Sequence, residues 1–80
     1  MEIRAVVADR IEALCRERDW TINGLSYRAG LANSTIMGIF YKRSKNPGIV
    51  TIKKICDAFG ITLGEFFSTK EFDELEQEIK

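Results

Sequence analysis

The side chains with the clearest chemical potential lie together in the stretch RAGLANSTIM, residues 28–37. Asn33, Ser34 and Thr35 stand side by side there, shortly after Gly30. An asparagine amide can pair with adenine through two hydrogen bonds, and hydroxyls can bond to base edges. Short polar residues are also common where a helix simply begins in water. The residues alone leave both interpretations open.

Catalytic chemistry has little support. The chain contains no histidine, so the usual general base at neutral pH is missing and no Ser–His or Cys–His pair can form. Two cysteines, Cys15 and Cys56, cannot close a zinc site without carboxylates or a second chain. Each lies beside apolar neighbours in a helical pattern and is expected to be a reduced core residue. We expect no enzymatic activity, no metal and no cofactor.

The composition is that of one globular domain. The 80 residues are 45% hydrophobic and 30% charged, and no apolar run is long enough to span a membrane. Charges at Glu2, Arg4 and Asp9 interrupt the first residues, so a secretory signal is not expected. These features predict a cytoplasmic protein with no membrane partner.

Charge is balanced overall but segregated along the chain. Residues 21–54 contain six basic residues and no acidic one, whereas residues 55–80 contain two lysines and seven acidic residues. An acid-free segment can create a local positive potential that attracts phosphates. Chance segregation on a solvated surface would give the same composition.

Apolar spacings of three and four predict an all-α chain. The first helix has a core face, opposite a solvent-exposed face that includes Arg4; the core face is formed by Ile3, Val7, Ile11 and Leu14. Later helices are expected over about 22–29, 33–41 and 49–59, with Thr21 as an N-cap and Gly30 and Gly60 as stops. A capping box, Thr62 to Glu65, opens a short fifth helix, and Ser68 to Glu71 could open a sixth.

The segment around Gly30 predicts a specific motif. Two short helices joined by a three- to four-residue turn that contains glycine describe a helix-turn-helix. Leu25 and Ala29 are the inward positions of the first helix, and Ile36 and Ile39 those of the second. This leaves Asn33, Ser34, Met37 and Gly38 on the outward face of the second helix.

These features together resemble the Cro and phage-repressor (XRE-type) family of DNA-binding domains. The resemblance covers residues 10–67 and implies a five-helix, lambda-repressor-like bundle, here with a short C-terminal amphipathic helix. We therefore expect a helix-turn-helix domain over residues 1–67 and an acidic amphipathic helix over 68–80. The matching residues are Arg10-Ile11, Leu14, Trp20-Thr21, Leu25, Ala29-Gly30-Leu31, Ser34-Thr35-Ile36, Ile39, Asn46-Pro47 and Phe59-Gly60-Ile61-Thr62-Leu63.

The resemblance also implies a function and a set of site residues. Members are mostly sequence-specific bacterial and phage regulators, often dimeric, and their third helix enters the major groove. The implied partner is double-stranded DNA, and the resemblance implies a transcriptional regulator that acts as a repressor. The implied base contacts are Asn33, Ser34, Met37 and Gly38; the implied phosphate contacts are Thr21, Arg28, Tyr41, Lys42, Arg43 and Lys45.

Some positions depart from the family pattern. Ile22 stands where a polar residue is usual, Ala32 replaces a Ser or Thr cap, and Gly38 replaces a charged or amide residue. A protein-interaction module on the same fold, with weak or no DNA binding, is therefore the alternative. Tyr27 and Tyr41 could be half-buried packing residues.

The C-terminal tail has two interpretations. Phe72, Leu75 and Ile79 form an apolar stripe among acidic residues. The stripe could fold back on the domain or pair with a second copy, and the sequence slightly favours a homodimer.

Overall fold

The computed structural model describes residues 2–41 and 46–77, and all regular secondary structure in these two ranges is helical. This confirms the all-α prediction, and the first five helices follow the expected boundaries closely. The helices are α1 (Ile3–Arg18), α2 (Ile22–Ala29), α3 (Asn33–Phe40), α4 (Ile49–Phe59), α5 (Leu63–Phe67) and α6 (Lys70–Asp73).

Left-handed residues end three of the helices. Gly30 ends α2 with φ of 67° and Gly60 ends α4 with φ of 74°, a conformation that glycine adopts without steric cost. Asp19 ends α1 with φ of 57°, and aspartate is one of the few other residues that tolerate this region. Both predicted glycine stops are confirmed.

Threonine side chains begin α2 and α5. The Thr21 hydroxyl accepts a hydrogen bond from the Gly24 amide at 3.0 Å. Thr62 and Glu65 form the predicted capping box: Glu65 N–H donates to the Thr62 hydroxyl at 3.0 Å, and Thr62 N–H donates to the Glu65 carboxylate at 2.8 Å. Such caps satisfy amides that have no partner within the helix.

The core lies between α1 and the helices that follow it. Phe66 is fully buried at its centre, and Cys15 and Cys56 are buried free thiols, as predicted. Burial raises the pKa of both thiols, which keeps them protonated and unreactive. The other buried apolar residues are Val6, Val7, Ala8, Ile11, Leu14, Leu25, Ile36, Ile39, Ile52, Ile55 and Phe59.

Three arginines of α1 bond to the C-terminal ends of other helices. Arg4 donates to the Ile39 carbonyl of α3 at 2.7 Å, and Arg10 donates to the Phe66 carbonyl of α5 at 2.8 Å. Arg18 donates to the Phe59 carbonyl of α4 at 3.1 Å. The last carbonyls of a helix lack partners within it and carry partial negative charge, so guanidinium groups suit them.

Two expectations for α1 are therefore wrong. Arg4, expected on the solvent-exposed face of α1, is buried, because its guanidinium reaches the end of α3. Ile3, expected on the core face, is 43% exposed. Helix side chains tilt toward the N-terminus, so the side chain of the first residue of α1 projects past the start of the helix.

The C-terminal helix is shorter than predicted. Thr69, not Ser68, is the N-cap of α6, and its side chain makes no capping bond. The helix ends at Asp73, so Leu75 lies beyond it, and Ile79 lies outside the described residues. Phe72 packs against Phe67, with ring centroids 4.9 Å apart, so the start of the tail folds back onto its own domain.

Candidate nucleic-acid interface

The free face of α3 carries small polar groups. Asn33 and Ser34 are exposed in its first turn, and Met37 is partly exposed one turn further on. At 100° per residue these three side chains and that of Tyr41 project from the same side of the helix. Ala32 precedes α3 and is exposed, and it makes no side-chain capping bond.

Gly38 does not share this free face. The structure places it among the buried residues of α3, together with Ile36 and Ile39. The prediction that Gly38 faces outward is wrong, because a residue without a side chain has only backbone atoms close to the helix axis, and those of Gly38 are buried.

Asn33 connects α3 to α2. The Ser26 hydroxyl lies 3.0 Å from the Ile22 carbonyl oxygen and 3.3 Å from Asn33 Oδ1. A hydroxyl has a single hydrogen to donate, and the shorter contact is the stronger one. The contact with Asn33 is therefore weak, and it orients the amide without binding it tightly.

The start of α2 offers hydrogen-bond donors. The Ile22 and Asn23 amides are the first two of α2. No residue of the helix lies four positions before them, so they have no hydrogen-bond partner within α2. Thr21 accepts from Gly24 through its oxygen, so its hydroxyl hydrogen remains free to donate. Partial positive charge at a helix N-terminus favours an anion such as phosphate.

Arg28 lies at the other end of α2, held against an aromatic stack. Its guanidinium carbon lies 4.3 Å from the Trp20 ring centroid. Trp20 in turn stacks on Phe59, with centroids 5.5 Å apart and an angle of 14° between the rings. The attraction between a guanidinium and an aromatic face is favourable, and this contact restricts the conformations of the Arg28 side chain.

Both tyrosines of this region are exposed rather than half-buried. Tyr27 on α2 is 89% exposed and Tyr41, which follows α3, is 63% exposed. Thr35 is also exposed in the first turn of α3. Neither Tyr27 nor Thr35 is among the DNA contacts that the family resemblance implies. The position of Tyr27 relative to Leu25, the buried apolar residue of α2, could have shown that Tyr27 points outward.

The electrostatics of the two helices favour an anionic partner. Neither α2 nor α3 contains an acidic residue, and Arg28 contributes a positive charge. The predicted phosphate contacts Lys42, Arg43 and Lys45 lie outside the described residues.

Two short helices joined at Gly30, the second with a polar exposed face, define a helix-turn-helix domain. A sequence profile of the Cro/C1-type HTH DNA-binding domain matches residues 10–71. The chain belongs to this family. Its fold class and the family resemblance are thereby confirmed, and the protein is of the DNA-binding regulator kind.

A solved structure supports the same assignment. The chain is similar to the crystal structure of the prophage Lp1 protein 11, with 34% sequence identity and a TM-score of 0.83. The match covers 94% of this chain and all of that one. No curated protein matched the chain. In the part of the chain that the structure describes, no helix has the length and apolar character needed to cross a membrane.

Proposed function

We propose that the protein is a sequence-specific, DNA-binding transcriptional regulator that acts in the cytoplasm as a repressor. In this proposal α3 enters the major groove. The observation that carries it is the exposed face of α3, where Asn33 and Ser34 are short and Met37 is unbranched and flexible, so that the helix can approach base edges closely. A surface helix that faced only water would more often carry charged side chains on its free side, as α1 does with Glu12 and Arg16.

The roles within the groove follow from side-chain chemistry. Asn33 would pair with adenine, Ser34 would bond to a base edge, and Met37 would contact a thymine methyl. Gly38 drops out of this set because it is buried.

The phosphate contacts surround this face. Thr21 and the first amides of α2 would hold one phosphate and Arg28 another. Tyr41, Lys42, Arg43 and Lys45 would contact the flank that follows α3. Such contacts position the protein but carry no direct sequence information.

Selection from a random pool of duplexes, at low and at near-physiological salt, tests the proposal. We expect one motif to be enriched at both, because base contacts persist while phosphate contacts weaken with salt. A palindromic motif would indicate a homodimer, since operator symmetry mirrors protein symmetry. Absence of binding at both salts would overturn the proposal.

A protein-interaction module on the same fold is the second candidate. One observation favours it: Ile49 and Val50, at the start of α4, are 75% and 65% exposed. Apolar docking has little salt dependence, whereas phosphate neutralisation has a steep one. This function would be identified if the chain binds no DNA but binds a protein with an affinity that does not change with salt.

A further inference from the structure

Ser26 is a buried polar residue where α2 meets α3. It is 5% exposed, and Ser26 and Arg4 are the buried polar or charged residues of the ranges 2–41 and 46–77. The Leu31 amide, in the turn between the two helices, donates to the Ser26 carbonyl at 3.0 Å. The turn itself therefore holds the backbone of Ser26 in place.

The Ser26 hydroxyl lies between two acceptors, the Ile22 carbonyl oxygen at 3.0 Å and Asn33 Oδ1 at 3.3 Å. Regular helical bonding already gives the Ile22 carbonyl a donor, which is the backbone amide of Ser26. Rotation about its C–O bond directs the hydroxyl hydrogen to either acceptor. Because Ser26 is buried, little water competes for this hydrogen, and the contact restricts the amide of the otherwise exposed Asn33.

Packing does not explain a serine at this position. A buried hydroxyl is costly unless it is hydrogen-bonded, and a serine that bonds to the carbonyl four residues earlier slightly destabilises its helix. Alanine would fill most of the same volume and is the best helix former. Among Asn33, Ser34 and Met37, Asn33 alone receives a hydrogen bond from another side chain within the described residues. The hydroxyl of Ser26 thus supports one of the proposed base contacts.

We propose that Ser26 is a positioning residue, which holds the Asn33 amide ready for base recognition and sets the strength of base preference at that position. The inference rests on the proposed function, in which Asn33 pairs with adenine. Asn33 Oδ1 has two lone pairs, so it can accept from Ser26 and from adenine N6 together, while Nδ2 donates to adenine N7. A side chain that is already oriented loses less conformational entropy on binding.

Competition binding tests the proposal, with duplexes that carry the selected motif and differ only at the base pair assigned to Asn33. Ser26→Ala should lower the preference for the best base about two- to tenfold, because the Asn33 amide must then be ordered on binding. The salt slope should not change, since no phosphate contact is lost. Ser68→Ala is the matched control and should keep the wild-type preference. Its hydroxyl also bonds to a backbone carbonyl, that of Glu65 at 3.0 Å, but at the end of α5.

The effect of Ser26→Ala should depend on Asn33. In the Asn33→Ala background, Ser26→Ala should change the preference no further, because the side chain that Ser26 orients is absent. Equal effects of Ser26→Ala with and without Asn33, or no effect in either background, would overturn the proposal.

Loss of folded protein cannot produce the expected result. Partial unfolding lowers the affinity for every duplex by the same factor, so the ratio of the affinities for two duplexes stays constant. Ser26→Ala should in addition keep or raise the urea midpoint, because alanine favours the helix.

Nuclear magnetic resonance of the DNA-free chain separates this inference from the proposed function. The side-chain amide signals of Asn33 should shift in Ser26→Ala and stay in place in Ser68→Ala. If Asn33→Ala alters base preference but Ser26→Ala does not, the role of Ser26 is overturned and the regulator stands. If no duplex is bound but the Asn33 signals shift in Ser26→Ala, the proposed function is overturned, although Ser26 does orient the amide.

Discussion

The Arg4 guanidinium donates a hydrogen bond to the Ile39 carbonyl at 2.7 Å, across 35 positions of sequence. Its Nε also lies 2.7 Å from the Glu2 carboxylate. Arg4 is the one buried charged residue in the ranges 2–41 and 46–77. The contact fixes the end of α3 against the start of α1, so the helix proposed to enter DNA is held at its C-terminal end by a charged hydrogen bond.

Arg4→Met should therefore destabilise the domain. The variant leaves the Ile39 carbonyl buried without its donor, which costs about 1–3 kcal/mol in the free energy of unfolding. Urea unfolding measures this difference. Arg16→Met is the matched control, because Arg16 pairs with Glu12 on the surface and such pairs contribute about 0–1 kcal/mol. Equal losses in the two variants would contradict a special role for Arg4.

The contact between Arg4 and Ile39 also shows which features could not be predicted from the sequence. Helix ends such as Thr21, Gly30 and the Thr62 capping box were predictable because their signals are local. Arg4 was misplaced because its partner, Ile39, is distant in sequence, and a helical pattern alone assigns any arginine to water.

The residues of the candidate site were likewise only partly predictable from the sequence. The spacing of Ile36 and Ile39 predicted that Asn33 and Ser34 would be exposed, and both are. Gly38 was misassigned because a glycine has no side chain whose polarity indicates its side of the helix. The predicted α6 is too long because the spacing of Phe72 and Leu75 fits a helix. In the structure Phe72 packs on Phe67, and the helix ends before Leu75.

Asn33→Ala should change base preference at one position of the DNA motif. Loss of a two-point amide contact with adenine reduces discrimination by about 1–3 kcal/mol. Competition binding with duplexes altered at single positions measures this. Thr35→Ala is the control, since Thr35 is exposed in the same turn but projects from the opposite side of α3. If Asn33→Ala keeps the full preference, Asn33 is not a base contact.

Arg28→Ala should weaken binding to all duplexes alike. Removing one phosphate contact lowers the slope of log affinity against log salt by about 1 and leaves the motif unchanged. Trp20 is the single tryptophan, so its emission should also respond to DNA in wild type and respond less in the variant, since Arg28 lies over its ring. Arg16→Ala controls for loss of a surface charge on α1, and a slope that falls equally in both variants would place Arg28 away from DNA.

Glu65 should make part of the stability depend on pH. Hydrogen bonds from the Thr62 backbone and side chain hold the pKa of Glu65 below its ordinary value of 4.5. A lowered folded-state pKa means that this stabilisation is fully present above about pH 4.5 and is lost as the pH falls through the folded-state value. Glu65→Gln keeps an acceptor at the cap but cannot titrate, so its urea midpoint should fall less on acidification than that of wild type. The difference between the two midpoints should be largest near neutral pH and shrink toward acid. Parallel curves over the whole range would show that the ionised carboxylate of Glu65 does not stabilise the start of α5.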